Sequence, residues 1–232
     1  MNLGFEKMTE KNIINSVSKL IEKLPGDQGL FSLNIDQKIS PGQWLSGDNG
    51  LNYPVFHYAN HQAQIIAPLT HALPTQYHLK GQAINIANED IKILLIGENQ
   101  GIASILFLMN HIKDQWGLKR LRQRISQILM GTSTLFPFQP VPSRFMIPAM
   151  PVDTIASAQL FEDLGLPARL ASETGAAGCF DGSLLLLLRQ LEDNFIEPET
   201  LVVAFGTNEL LMGIKKLLEG KSNKQFLINM ED

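Results

Sequence analysis

The sequence predicts a chain of mixed class, α/β plus β. An N-terminal antiparallel barrel-like domain over residues 1–88 is followed by a parallel α/β domain over residues 89–232. Three observations predict it. The first part is a series of short apolar segments separated by turn residues, as in a small antiparallel barrel or sandwich. The second part alternates apolar runs of strand length with segments of helical period, which implies a parallel sheet with right-handed crossovers. Between Lys92 and Leu106 an apolar run stops at Gly97, turns, and continues past Gly101 as an apolar helix.

In the first part the turn signals are Pro25-Gly26-Asp27, Ser40-Pro41-Gly42, Gly47-Asp48-Asn49-Gly50 and Leu73-Pro74-Thr75. Between them Leu30–Ile35, Pro54–Tyr58 and Ala63–Ala67 have strand length and partial alternation. One segment conflicts with an all-strand reading. Ile13, Ile14, Val17, Leu20, Ile21 and Leu24 fall at helical spacing, so local pattern gives an amphipathic helix over residues 9–24 with Thr9 as its N-cap.

In the second part Ile91–Ile96 reads as a strand covered on both faces. Gly101–Lys113 reads as a helix and Ile125–Met130 as the next strand. Phe136–Pro151 holds five prolines and reads as an irregular loop. Thr154–Leu164 is expected to be a helix ended by Gly165, Ala168–Ser172 a short strand and Gly182–Asn194 a helix. Thr200–Phe205 is the last predicted strand, and Asn208–Leu218 the last helix.

The turn after the Ile91–Ile96 strand carries the chemistry. A helix start presents unpaired N–H groups and a partial positive charge, and glycine lets an anion approach them. The turn from Gly97 to Ala103 is therefore expected to cradle a nucleotide diphosphate, which makes the second part a nucleotide-binding domain. The net charge of −4 argues against a nucleic-acid surface. The short basic cluster Lys119–Arg124 reads as a solvated helix end or strand approach, with a phosphate or acidic partner as the alternative. The single cysteine, Cys179, permits no internal disulfide and no thiolate-held iron–sulfur cluster, and it reads as a plain buried or half-buried residue. Residues 1–7 show no secretory pattern, and the longest purely apolar run, Leu184–Leu188, is too short to cross a bilayer. A soluble, cytoplasmic protein is expected. His57 and His61 stand four apart on a strand and turn, which is a poor metal pair, and hydrolase and P-loop motifs do not occur.

Four motifs in series resemble the ferredoxin–NADP reductase superfamily, most closely the electron-transfer subunit of dihydroorotate dehydrogenase. Pro41-Gly42-Gln43-Trp44 is similar to that family's Pro-Gly-Gln-aromatic step. Gly97-Glu98-Asn99-Gln100-Gly101-Ile102-Ala103-Ser104 resembles its Gly-Gly-Gly-x-Gly-Ile-Ala-Pro turn. The stretch from Glu173 to Gly182 resembles its Asp-Gly-Ser-x-Gly-x-x-Gly loop, and Phe205-Gly206-Thr207-Asn208-Glu209-Leu210-Leu211 its Cys-Gly-Pro-x-x-Met-Leu turn. The resemblance implies a flavin-binding barrel (FAD or FMN) beside an NAD(P)H-binding domain, with a cleft between them. It implies strand over Asn12–Glu22. Gly97, Gln100, Gly101, Ile102, Thr132 and Gly206 are then expected to contact the nicotinamide nucleotide, and Phe56 and His57 to flank the flavin. A second protein subunit is an expected partner, with Phe136–Pro151, including Arg144 and Phe145, as its docking surface.

The chain departs from the family at defined places. Pro54 stands where the flavin-diphosphate arginine belongs, and His57 where a hydroxyl belongs. The region around Gly81 keeps one glycine of a Gly-Pro-x-Gly turn. Glu98 and Asn99 replace the middle glycines of the nucleotide turn, Ala204-Phe205-Gly206 offers no thiol, and the C-terminal residues hold no cluster-binding cysteines. Two readings follow: an oxidoreductase or electron-transfer subunit moving electrons between NAD(P)H and a flavin, or a catalytically degenerate scaffold acting as a binding or regulatory subunit. Nucleotide sensing without redox is a variant of the second.

Overall fold

The computed structural model describes residues 13–87, 90–191 and 195–231. Thr9, the secretory-signal reading of residues 1–7 and the 88/89 domain boundary lie outside them. The first sheet has seven antiparallel strands: β1 (Ile13–Asn15), β2 (Lys19–Leu24), β3 (Gln28–Asn34), β4 (Gln43–Gly47), β5 (Asn52–Ala59), β6 (Gln62–Pro68) and β7 (Gln76–Gly81). They run in the order β1-β7-β4-β5-β6-β3-β2, a curled half-barrel. The helical spacing over residues 13–24 is overridden: β1 pairs with β7 and β2 with β3, so sheet edges claim both segments. Leu20 and Ile21 are consequently exposed on an edge strand, which no amphipathic helix would have produced.

The second sheet is parallel and six-stranded, built from β8 (Ile93–Glu98), β9 (Ile125–Thr132), β12 (Ala168–Ser172), β13 (Phe180–Asp181), β14 (Leu201–Gly206) and β15 (Gln225–Asn229). Its order is β13-β12-β9-β8-β14-β15. Four helices cross between strands: α1 (Gly101–Arg124), α2 (Gln159–Leu164), α3 (Leu184–Gln190) and α4 (Asn208–Leu217). β10 (Pro140–Pro142) and β11 (Ala156–Ala158) form a small antiparallel ribbon within the proline-rich region.

The helix expected over Thr154–Leu164 is corrected. The Ile155 and Ala156 N–H groups both donate to the Gly178 carbonyl, Ile155 O accepts from Ser143, and Ala156–Ala158 pairs with β10, so only Gln159–Leu164 coils. The helix expected over Gly182–Asn194 is shorter, starting after the Ser183 cap, whose hydroxyl accepts from Leu186 N–H; residues 192–194 lie outside the described ones. The helix read over Gly101–Lys113 runs on to Arg124 as two pieces joined at Gly117, where φ is 78°.

α1 joins the halves. Its first residues, Gly101–Met109, are all buried, because the sheet covers one side and the barrel the other. Phe107 enters the barrel core beside Leu33, Leu45, Val55 and Ile65. Trp44, Ile84 and Ile86 from the barrel side join the core of the parallel sheet in return. In the basic cluster that closes α1, Lys119 and Arg122 are exposed, as a solvated end requires, and Arg124 is buried. Arg124 is 1% exposed, donates from Nε to the Ile91 carbonyl, and lies 4.9 Å from the Trp116 ring centroid. Arg122 donates to Leu164 O and Arg120 pairs with Asp90. Three cations thus tie the helix end to neighbouring segments.

Candidate functional site at the sheet switch point

From β8 the chain steps outward through β9 and β12, then returns to β14 on the other side of β8. The two directions part between β8 and β14, and the carboxyl ends there open a crevice, the place where doubly wound sheets take ligands. Phe205 sits opposite Gly97 in the ladder. Side chains are kept small here by packing. A Cβ on Gly101 would collide with the Phe205 carbonyl, one on Gly97 with Ile105, and one on Gly206 would lie 2.8 Å from Leu210 Cδ2. These glycines bring α1 and α4 close against the strand ends.

Two cavities flank the turn after β8. A larger cavity, of about 410 Å³, lies away from the turn, by Leu94 and Ser126 near the opposite strand ends. The first flanking cavity, of about 340 Å³, is lined by Leu51 and Asn52 of the barrel, Glu98, Gln100, Gly206, Thr207, Met230 and Glu231. The second, of about 180 Å³, lies between the start of α1 and the barrel, against Pro54, Ile66, Gln100, Ile102, Thr132 and Leu135. Of the residues the sequence singles out, Gln100 borders both cavities, Gly206 the first, and Ile102 and Thr132 the second. Gly97 and Gly101 are buried beneath them. Phe56 packs against the core of the parallel sheet, and neither it nor His57 lines either cavity.

The turn itself is laced to the chain. Asn99 takes a left-handed conformation (φ 51°) in place of glycine. Its N–H donates to Gly131 O at 2.9 Å, and its Oδ1 accepts from Ser133 N–H at 2.9 Å, the Ser133 hydroxyl at 3.2 Å and the Thr132 hydroxyl at 3.3 Å. Ile102 and Ala103 N–H donate to Asn99 O and Gln100 O. The cradle expected over residues 97–102 is therefore narrower than the sequence implies, reduced to the N–H groups of Gln100 and Gly101 that precede these bonds.

Carboxylates define the electrostatics of the 340 Å³ crevice. Glu98 is 9% exposed, and its Oε2 accepts the Thr207 hydroxyl at 2.9 Å. Burial raises its pKa above the ordinary glutamate value; donation from the Thr207 hydroxyl and N–H opposes this, and the charges of Glu173 and Glu209 add to the rise. Glu231 Oε2 accepts the Asn208 N–H at 3.1 Å, and Thr207 Oγ1 accepts from Leu210 N–H as the α4 cap. The anion-binding end of α4 is occupied by the chain's own carboxylates.

Sequence reasoning missed Asn52, Met230 and Glu231. Met230 N–H donates to Gly206 O, Asn52 Nδ2 donates to Met230 O at 3.4 Å, and the residues after β15 fold over the crevice mouth. The apolar run Phe226–Ile228 was the available signal. Arg144 and Phe145, expected to form a docking surface, are anchored by their backbones while the Arg144 side chain stays 69% exposed: Arg144 N–H donates to Glu162 Oε2 at 2.9 Å, and Phe145 O accepts from Arg169. Met146 and Val152 are the outermost apolar residues of the same segment, 96% and 92% exposed. Cys179 is half-buried, its thiol pushed up to about 11 by burial.

The residues present offer no cation to the flavin implied by the resemblance: Pro54 brings neither a charge nor an N–H, and the 180 Å³ cavity beside it carries no charged side chain. The nicotinamide nucleotide fits better by shape, since the glycine-lined crevice at the switch point is present, although it is acidic.

No family model and no curated protein matches the chain. Solved structures match its fold across nearly the whole length. The ferredoxin reductase of carbazole 1,9a-dioxygenase is similar with a TM-score of 0.60 and 12% identity, over 94% of this chain and 69% of that one. The cytochrome P450 reductase of Amycolatopsis gives 0.59 at 9% identity, over 95% and 71%. The flavohem-like FAD/NAD binding domain of nitric oxide dioxygenase from Vibrio cholerae O1 biovar El Tor gives 0.57 at 13% identity, over 94% and 98%. The antiparallel half-barrel joined to a parallel α/β sheet is thus the two-domain fold of ferredoxin–NADP reductase-like proteins.

Proposed function

We propose that this chain is a flavin/nicotinamide-type oxidoreductase component, an electron-transfer subunit like that of dihydroorotate dehydrogenase, which takes NAD(P)H in the switch-point crevice. The observation that carries the reading is the crevice itself: β8 and β14 end side by side, and Gly97, Gly101 and Gly206 hold two helix starts against it. Gln100 and Gly101 offer N–H groups to a phosphate, and Leu51 and Met230 give the nucleotide an apolar wall. A bound nicotinamide would supply hydride chemistry. The chain's own part is to orient the nucleotide and exclude water. No step is assigned to a flavin, because β5 lends it no cation. A cytoplasmic setting and a second protein subunit as electron partner fit this reading. No helix among the described residues is long and apolar enough to cross a membrane.

A second reading, a degenerate scaffold with a binding or regulatory role, is favoured by one observation: Glu98 and Glu231 already fill the α4 start. Visible absorption and melting of the purified protein decide between them. The first reading expects a flavin band, native or after adding FAD or FMN, bleached by NADH or NADPH. It also expects a Tm rise of roughly 5–10 °C with nucleotide at a hundred times its Kd. A colourless protein that takes up no flavin and melts unchanged with either nucleotide overturns it and leaves the scaffold.

A further inference from the structure

Resting on the nucleotide reading above, we infer that Glu98 is the specificity-determining residue of the crevice, admitting the diphosphate of a nucleotide only together with a proton.

The geometry is specific. Glu98 ends β8, at the position where the backbone turns toward α1. Its Cβ would lie 3.2 Å from a methyl placed on Gly206, so the side chain stands directly between the two strand ends. Its carboxylate lies on the crevice wall and is fixed there by the Thr207 hydroxyl. A diphosphate approaching Gln100 passes this carboxylate within the same 340 Å³ space.

The surroundings give no relief. Glu173 follows β12, Glu209 lies in the first turn of α4 and Glu231 follows β15; all three add negative charge. The barrel contributes Gly50, Leu51 and Asn52, and the start of α1 contributes Asn99 and Gln100, all uncharged. Among the described residues, no lysine, arginine or histidine lines the crevice. With no cation available, a proton is the species that can remove the repulsion. Glu98 is the group placed to hold it, since burial already favours its neutral form and a neutral carboxyl can itself donate to a phosphate oxygen.

Titration of the full-length protein with ADP-ribose tests this. That ligand carries the diphosphate without the nicotinamide cation, and its own groups do not titrate across neutral pH. Calorimetry in two buffers of different ionisation enthalpy reads the protons taken up. For the natural chain the expected result is uptake of a proton per ligand and an affinity falling about tenfold per pH unit above the Glu98 pKa. Glu98→Gln, which keeps the shape and an acceptor for Thr207, should bind with no proton uptake and equal affinity from about pH 5 to about pH 8. Glu231→Gln should keep the proton uptake and the slope. A Glu98→Gln protein that retains the slope, or a Glu231→Gln protein that loses it, overturns the assignment to Glu98 while the nucleotide reading stands. No binding of ADP-ribose by any of the three proteins at any pH overturns both.

Discussion

Replacing Gly101 with alanine tests whether the glycines of the turn serve packing or ligand. On the present backbone the added methyl falls on the Phe205 carbonyl, with the carbonyl carbon at 2.7 Å and Phe205 Cβ at 2.8 Å. Those atoms belong to β14, a central strand whose residues are all buried and paired on both sides, so they cannot step aside as a flexible side chain would. Overpacking of this kind costs about 1–3 kcal/mol. Alanine regains at most about 1 kcal/mol of helix propensity, and less at a helix start. The net loss lowers Tm by roughly 2–10 °C for a chain of this size. Thermal and denaturant melts without any nucleotide measure it. A Gly101→Ala protein that melts like the natural one refutes the packing argument, and a loss of nucleotide binding alone would show that the glycine serves the ligand.

Four further outcomes follow from buried charge. Glu98 has a raised pKa, so its contribution to stability is full below the ordinary glutamate value and is lost as pH rises through the folded pKa; Glu98→Gln should melt higher than the natural chain at about pH 8, with the gap closing by about pH 4, in melts run across that range. Glu162 is 3% exposed and holds Arg144 while facing buried Arg169. Glu162→Ala should cost about 1–3 kcal/mol in urea unfolding and release the amides of residues 143–157 to hydrogen exchange. Hydrogen bonds hold the Glu162 pKa below its ordinary value against desolvation, so the natural chain should lose this contribution as pH falls below the glutamate range. Arg124→Met removes the donor to Ile91 O and the cation over Trp116; a loss of about 1–3 kcal/mol and a shift in tryptophan emission are expected.

The legible parts of the fold were those decided locally. Turns at Pro25-Gly26-Asp27 and Gly47-Asp48-Asn49-Gly50 punctuate the barrel where expected, and the strands over 93–98, 168–172 and 201–206 coincide with apolar runs. The illegible parts were decided by distant partners. Ile13 and Ile14 read as helix until β7 supplies an edge, and Thr154–Ala158 reads as helix until Gly178 and β10 claim its backbone. Arg124 looked like a surface charge because nothing near it in sequence reveals that Ile91 O and Trp116 meet over it. At the site, the Gly97–Gly101 turn was readable from spacing. The crevice wall was not, since Asn52, Met230 and Glu231 come from segments far apart in the chain.

The substitutions at the site act in one direction, and that sets an expected affinity. Asn99 Oδ1 takes the Ser133 N–H and two hydroxyls at the end of β9, Glu98 takes Thr207, and Glu231 takes Asn208. A diphosphate reaching these donors exchanges one acceptor for another, so the exchange yields little net free energy, and only the N–H groups of Gln100 and Gly101 are new. Hydrogen bonds to a charged group contribute about 1.5–3 kcal/mol each. Two of them give roughly 3–6 kcal/mol before the cost of ordering the ligand, with repulsion from Glu98 and Glu231 set against the apolar contact of Leu51 and Met230. The balance corresponds to a Kd of about 0.1–1 mM for NADH at neutral pH. Fluorescence titration of NADH reads it directly. Binding at about 1 μM or tighter requires about 8 kcal/mol; the donors described here cannot supply that, and such a result would mean that the Glu231–Asn208 bond opens and α4 receives the phosphate.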